Sequence, residues 1–170
     1  SLKTIDGLQN FNLKVSSCND MFSGCSSLQN VDGLKNFNIS ELHSFNSIFF
    51  GCSSLTNIDG LRSWNVTYVK YFNRTFSGCS SLKDVDSLKE WNVSNTQEFY
   101  EMFNNCSSLQ SLFGLKDWNV SKAYSFYCMF QGCSSLQNLD YLKDWKFNET
   151  RDFVKMFQSL DRRASCRERV

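Results

Sequence analysis

Gly51-Cys52-Ser53-Ser54-Leu55 decides the fold, because the chain writes Cys-Ser-Ser-Leu again at Cys25, Cys79, Cys106 and Cys133, each copy 27 residues from the next. A fixed internal period of that size is the mark of a repeat array in which neighbouring units share a core. The other apolar positions keep the same beat. One Phe column runs Phe45, Phe72, Phe99, Phe126 and Phe153, and a second follows four residues later at Phe49, Phe76, Phe103, Phe130 and Phe157. After the Cys come Leu55, Ile58, Leu61, Trp64 and Val66, matched one period on by Leu82, Val85, Leu88, Trp91 and Val93.

Within one unit, Phe99, Met102, Phe103 and Cys106 fall at i, i+3, i+4 and i+7, which predicts a short helix of two to three turns over 94–105. Ser94 is its N-cap with Gln97 completing a capping box, and Ser40, Thr67 and Ser121 are the equivalent caps. The residue before each Cys (Gly24, Gly51, Gly78, Asn105, Gly132) suits the left-handed C′ position that ends a helix. Over 109–120 the apolar spacing becomes irregular and Asp, Asn and Gly intervene, which predicts short parallel strand pieces stacked on those of neighbouring units. Asp32-Gly33 and Asp59-Gly60 suggest a hairpin. Their equivalents Asp86-Ser87 and Asp140-Tyr141 speak against it, since positive φ is then not required. The fold class is therefore an α/β repeat solenoid, with one short helix and short parallel strand pieces per 27-residue rung.

The array covers 1–159 as about six rungs, and 160–170 is a non-repeat tail. Ser1-Leu2 aligns with Ser27-Leu28, so the chain opens in mid-repeat and is read as N-terminally truncated. The first copy is one residue short between Asn12 and Cys18. Residues 163–170 resemble the translation of a sequencing adapter, so Cys166 and the arginines around it are given no role. A formal net charge of +1, with basic residues spread evenly, argues against a nucleic-acid partner. No run of 18 apolar residues is present that could insert in a membrane. One rung cannot repay the entropy of ordering 27 residues by itself, so stacking has to stabilise it.

Candidate chemistry is sparse. The five Cys of the repeat column are read as a ladder of buried, reduced thiols rather than a disulfide framework. Cys18 stands in a Phe column and belongs to the core, while Cys128, aligned with Ser47, Arg74, Glu101 and Lys155, is expected to face solvent. His43 aligns with Lys70, Gln97, Tyr124 and Arg151 and is a surface residue without the orienting partner a catalytic site needs. With one His and no Cys-x-x-Cys, zinc spacings are excluded. The Asp column (Asp6, Asp32, Asp59, Asp86, Asp140), broken by Phe113, reads either as a calcium rail or as acceptors of backbone hydrogen bonds at a turn. The second reading is preferred, with Lys35, Arg62, Lys89, Lys116 and Lys143 screening the carboxylates. Seven Asn-x-Ser/Thr triplets, at Asn38, Asn65, Asn73, Asn92, Asn105, Asn119 and Asn148, follow mostly from the repeat, where the Ser or Thr caps the helix. The column Trp64, Trp91, Trp118 and Trp145, continued by Phe37 and Phe11, is read as packing between rungs rather than a sugar-stacking strip.

The repeat Phe-x-x-Met-Phe-x-Gly-Cys-Ser-Ser-Leu-x-x-Leu-Asp-Gly-Leu-x-x-Trp-Asn-Val-Ser resembles that of the BspA-like leucine-rich-repeat surface proteins, including mycoplasma lipoproteins, over residues 2–159. Where members of that group commonly carry Asp-Thr-Ser-Asn-Val-Thr, this chain has Asn-Val-Ser or Asn-Val-Thr. The resemblance implies a leucine-rich-repeat-like solenoid, secreted or held at the cell surface, used for adhesion to a protein or glycan of a host or neighbouring cell. It implies no catalytic residue and no cofactor. The first alternative is a structural spacer without a ligand, and a distant one is a β-helix enzyme acting on polysaccharide. The outer columns vary most within the chain, and Tyr100, Tyr124 and Tyr127 gather there on neighbouring rungs as the expected partner-binding patch. The competing face is the basic column Lys35, Arg62, Lys89, Lys116 and Lys143.

Overall fold

Backbone N–H groups between the two Phe columns follow an alternating rule, complete in the rungs of Phe72, Phe99 and Phe126. In the rung of Phe99, the N–H groups of Phe99, Glu101, Phe103 and Asn105 donate to the carbonyls of Ser125, Tyr127, Met129 and Gln131 of the next rung, at 2.7 to 2.9 Å. The residues between them bond inside the rung: Met102, Asn104 and Cys106 donate to Phe99, Glu101 and Phe103, three residues back, at 3.1 to 3.2 Å. The structure, a computed structural model, describes residues 2–10, 17–147 and 152–160.

This is the segment whose spacing predicts a helix, and among the described residues there is no α-helix. Two successive four-residue turns replace it. Each places the residue after its outward one at positive φ: Glu101 at 51° and Asn105 at 58°. A left-handed residue every fourth position breaks the α-helical path. It frees every second N–H to reach the next rung instead of its own i−4 carbonyl. The inward set Phe99, Met102, Phe103 and Cys106 is nonetheless the buried one, because two four-residue turns and two helical turns bring the same positions to one side. Ser94 and its equivalents are not helix caps. Their N–H groups are taken by the side-chain oxygens of Asn38, Asn65, Asn92 and Asn119 two residues earlier, at 3.1 to 3.2 Å.

The stretch 109–120 also departs from expectation. In place of strand pieces it carries a three-residue 3-10 helix, Phe113–Leu115, repeated at Asp32–Leu34, Asp59–Leu61, Asp86–Leu88 and Asp140–Leu142, with a five-residue version at Asp6–Asn10. A side chain two residues ahead caps each: Asn30, Asn57, Asp84, Ser111 and Asn138 accept the first N–H. Parallel pairing does occur, as single bridges at Asn30–Asn57 and along Ser44, Tyr71, Glu98, Ser125 and Asp152, ahead of the double turn. There the donation runs backwards, Lys70 to His43, Gln97 to Lys70 and Tyr124 to Gln97.

The core is a set of ladders. Rings of Phe22, Phe49, Phe76, Phe103, Phe130 and Phe157 stack at 5.6 to 5.8 Å with planes within 15°. Polar atoms inside are matched by carbonyls of the preceding rung. Thiols of Cys52, Cys79, Cys106 and Cys133 donate to the carbonyls of Phe22, Phe49, Phe76 and Phe103 at 3.1 to 3.3 Å. Indole N–H groups of Trp64, Trp91, Trp118 and Trp145 donate to those of Leu34, Leu61, Leu88 and Leu115 at 2.9 to 3.2 Å. The buried column thus satisfies itself from rung to rung. Cys25, with no earlier Phe in its column, is only half-buried. The Trp column is buried packing, as expected. Cys18 is buried, also as expected, but so is Cys128, at 2 % exposure against the expected solvent-facing position. It stands in the column between Glu101 and Lys155, and its short side chain does not reach out as theirs do. Phe11, the short stretch after Asn12, Asn148, Arg151 and the tail from 161 lie outside the described residues.

The Asp-Gly glycines have a different purpose from the hairpin one. None of Gly33, Gly60 and Gly114 has positive φ. A Cβ on Gly60 would point into the Val31 carbonyl oxygen, 2.1 Å away, and one on Gly114 into that of Val85 at 1.9 Å. Close approach of rungs requires the missing side chain. Where the chain has Ser87 or Tyr141 instead, the 3-10 turn lies less closely on the one before. Gly60→Ala should therefore spread the first rungs and cost about 1–3 kcal/mol, the range for forced overpacking. Urea unfolding followed by circular dichroism checks it, and an unchanged midpoint would remove close approach as the reason for glycine.

Candidate functional site

With the inward columns packed against neighbouring rungs, the outward ones are those left accessible. One is Asn19, Asn46, Asn73, Tyr100, Tyr127 and Val154. The side-chain oxygens of Asn19, Asn46 and Asn73 each accept the N–H of the next residue in the column at 3.1 Å, so the asparagines form a ladder that ends on Tyr100. From there a second device takes over. Tyr100 and Tyr127 stack face to face, with centroids 5.2 Å apart and planes 6° from parallel. The Arg74 guanidinium lies 5.3 Å from the Tyr100 ring centre and is bonded to Glu101 at 2.7 Å. Its charge is strengthened first by that bond, while the bond to Glu101 and burial raise the Tyr100 phenol above its ordinary range.

Of the three expected tyrosines, the structure brings two together. Tyr124, 43 % exposed, does not stack on them but joins the same outward column through Glu98 and Asn73. Its phenol donates to Glu98, whose other oxygen takes the Asn73 side-chain amide at 2.6 Å. Donating that hydrogen bond to a carboxylate holds the proton on the Tyr124 phenol and pushes its pKa up to about 12. Arg74, Glu98 and Glu101, which fix the tyrosines in place, are absent from the sequence-based list. The signal was opposite charge one rung apart, Arg74 above Glu101, visible once the copies are aligned.

The competing basic face is mixed in sign. Arg62 bonds Asp59 at 3.0 Å, and Ser87 and Asn57 also donate to that carboxylate. Ser87 first, then Arg62, lowers its pKa. The preferred reading of the Asp column is that it accepts backbone hydrogen bonds at a turn. That task belongs instead to the residue two before it. Lys35, Arg62, Lys89 and Lys143 are exposed and Lys116 is half-buried. Where Phe113 interrupts the Asp column, Lys89 and Lys116 place their ammonium groups 5.8 and 5.5 Å from its ring centre. Among the described residues no three His, Cys, Asp or Glu side chains converge as a metal site needs. No helix there is long and apolar enough to cross a membrane. His43 is exposed, and its carbonyl accepts the Lys70 N–H.

Among solved structures, the chain is similar to a leucine-rich repeat protein from Bacteroides ovatus ATCC 8483, at 24 % identity and a TM-score of 0.33, over 70 % of this chain and 33 % of that one. It is also similar to the T. pallidum leucine-rich repeat protein, at 17 % identity and a TM-score of 0.31, over 69 % of this chain and 58 % of that one. The chain thus spans a third of the first and under three-fifths of the second. A comparison with curated proteins finds no match. A family profile matches in two overlapping stretches, residues 3–112 and 57–165, as the 27-residue period allows. On that match the chain belongs to the family described as mycoplasma protein of unknown function, DUF285.

Proposed function

We propose that this chain is a non-enzymatic interaction module, displayed outside the cell, that holds a protein or glycan of a host or neighbouring cell along the ridge carrying Tyr100, Tyr124 and Tyr127. One observation carries the reading. The double turn has two left-handed columns. The second is filled mostly by glycine, at Gly24, Gly51, Gly78 and Gly132, with Asn105 and Ser159 as the exceptions, as backbone strain favours. The first, beside the tyrosines, is Asp20, Ser47, Arg74, Glu101, Cys128 and Lys155, with no glycine, although every one has φ between 51° and 59°. L-residues in that region cost roughly 1–2 kcal/mol each. A chain that uses glycine four residues later keeps costly side chains here, and retained strain gathers where side chains are put to use.

Stacked and bonded tyrosines on such a ridge lose little freedom when a partner covers them. Tyr100→Ser/Tyr124→Ser/Tyr127→Ser should leave the melting temperature within a few degrees, since the phenols lie outside the core. Attachment of the labelled chain to host cells, read by flow cytometry, should fall at least tenfold. Undiminished attachment would transfer the site to the Lys35, Arg62, Lys89, Lys116 and Lys143 face. No attachment by the unaltered chain would favour the spacer reading.

A further inference from the structure

Two aromatic residues break the repeat within the 3-10 turns. Phe113 stands where the other copies have Asp6, Asp32, Asp59, Asp86 and Asp140, and Tyr141 where they have Gly7, Gly33, Gly60, Ser87 and Gly114. They lie in adjacent rungs, and their rings meet edge to face at 5.7 Å and 83°. Tyr141 is 38 % exposed. Close approach between these two 3-10 turns is given up to make room for the ring.

The same substitution unbalances the charge. In the rung of Asp59 the column cation is neutralised within its turn, Arg62 to Asp59 at 3.0 Å. At Phe113 the column carboxylate is gone, and Lys89 and Lys116 lean on the ring instead, at 5.8 and 5.5 Å. The acidic contact of Lys116 is Asp117 at 3.6 Å, a loose and solvent-screened pair. Asp86, the carboxylate one rung earlier, makes no ion pair with Lys89, and burial first and then Asp84 raise its pKa. The result is an aromatic floor with two ammonium groups at its edge.

We propose that Phe113, Tyr141, Lys89 and Lys116 form a second binding site, for an acidic glycan. Such a ligand carries both features the site answers. The apolar C–H face of a sugar ring covers the aromatic pair, and its carboxylate or sulfate meets the two ammonium groups. An acidic peptide would answer the charge but leave the aromatic floor unused, so the glycan is favoured.

The repeat itself supplies the test. Phe113→Asp/Tyr141→Gly restores the residues that other rungs carry at these positions, so the variant is expected to fold, with an unchanged circular dichroism spectrum and a melting temperature no lower. Calorimetric titration of the full chain should show binding of a sulfated or uronic acid oligosaccharide. It should show at least tenfold weaker binding of a neutral oligosaccharide and of polyglutamate of equal charge. The restored variant should lose at least tenfold in affinity for the acidic oligosaccharide, and Lys89→Gln/Lys116→Gln should lose as much together with most of the salt dependence. The two acidic probes separate carboxylate from sulfate as the recognised anion. No binding of either, equal affinity in the restored variant, or polyglutamate binding as tightly as the oligosaccharide overturns the proposal. Because Tyr100, Tyr124 and Tyr127 lie elsewhere, their Ser variant should bind the oligosaccharide normally, which keeps this result separate from cell attachment.

Discussion

Stability should fall steeply between pH 9 and pH 11, by about 4 kcal/mol per pH unit once the pH is well above 9, on account of three thiols alone. Burial pushes Cys133 up to about 12 from 9.0, and Cys79 and Cys106 well above 9.0. A thiol whose folded pKa is raised keeps its proton where the unfolded chain has lost it. Below pH 9 both states are protonated and the stability is fully present. From pH 9 upward the unfolded chain binds fewer protons, so stability declines until the folded pKa is reached, at a rate of about 1.4 kcal/mol per pH unit for each thiol. Tyrosines and lysines also titrate in this window, so the control is Cys106→Ala. Plotted against pH, its urea unfolding free energy should decline more gently than that of the parent by about 1.4 kcal/mol per unit. Parallel slopes for variant and parent would mean that the Cys column ionises as freely folded as unfolded.

Phe76→Ala should cost about 3–5 kcal/mol, the range for deleting a fully buried aromatic ring. Phe76 is 0 % exposed and stacks on Phe49 and Phe103, both at 5.6 Å. The change therefore opens a hole shared by two interfaces between rungs. Phe157, in the same column, is only partly buried and has Phe130 as its stacking partner, so Phe157→Ala should cost less than half as much. Denaturant midpoints of the two variants measure the difference. Equal losses would mean that the column does not transmit packing from rung to rung.

The period and the buried columns were legible in the sequence because stacking forces the same inward residue into every copy. Cys52, Trp91 and Phe103 each repeat a contact made 27 residues away. The local backbone was not legible. Spacings of three, four and seven suit either two helical turns or two four-residue turns. What separates them is a left-handed residue two positions after each first-column Phe. At Ser47, Arg74, Glu101, Cys128 and Lys155 no glycine or asparagine announces it. The glycine that does announce one, before each Cys, is at positive φ as expected, but it closes a turn instead of a helix. The 3-10 turn was hidden in a similar way. Its cap is a short polar side chain such as Asn57, and the stretch reads as irregular because each helix is only three residues long. The stacking of Tyr100 on Tyr127 could be read from one period of separation. The removal of Tyr124 to Glu98 could not, since it depends on which way a side chain turns at the surface. Cys128 failed for the same reason: residue type in its column suggests exposure, and a small side chain between Glu101 and Lys155 does not obtain it.

The alternating hydrogen bonds of the double turn also set how the molecule carries load. Bonds from Phe99, Glu101, Phe103 and Asn105 to the next rung lie along the direction of stacking, and those from Lys70, Gln97 and Tyr124 lie along it in the opposite sense. Tension applied at the two ends therefore meets each junction as a single row of bonds pulled lengthwise, and each junction is nearly a copy of the others. Such a molecule pays out in steps, one 27-residue rung at a time, each releasing roughly 90 Å of extended chain. Between steps the remaining rungs keep their packing, so the array lengthens under load without losing its core all at once.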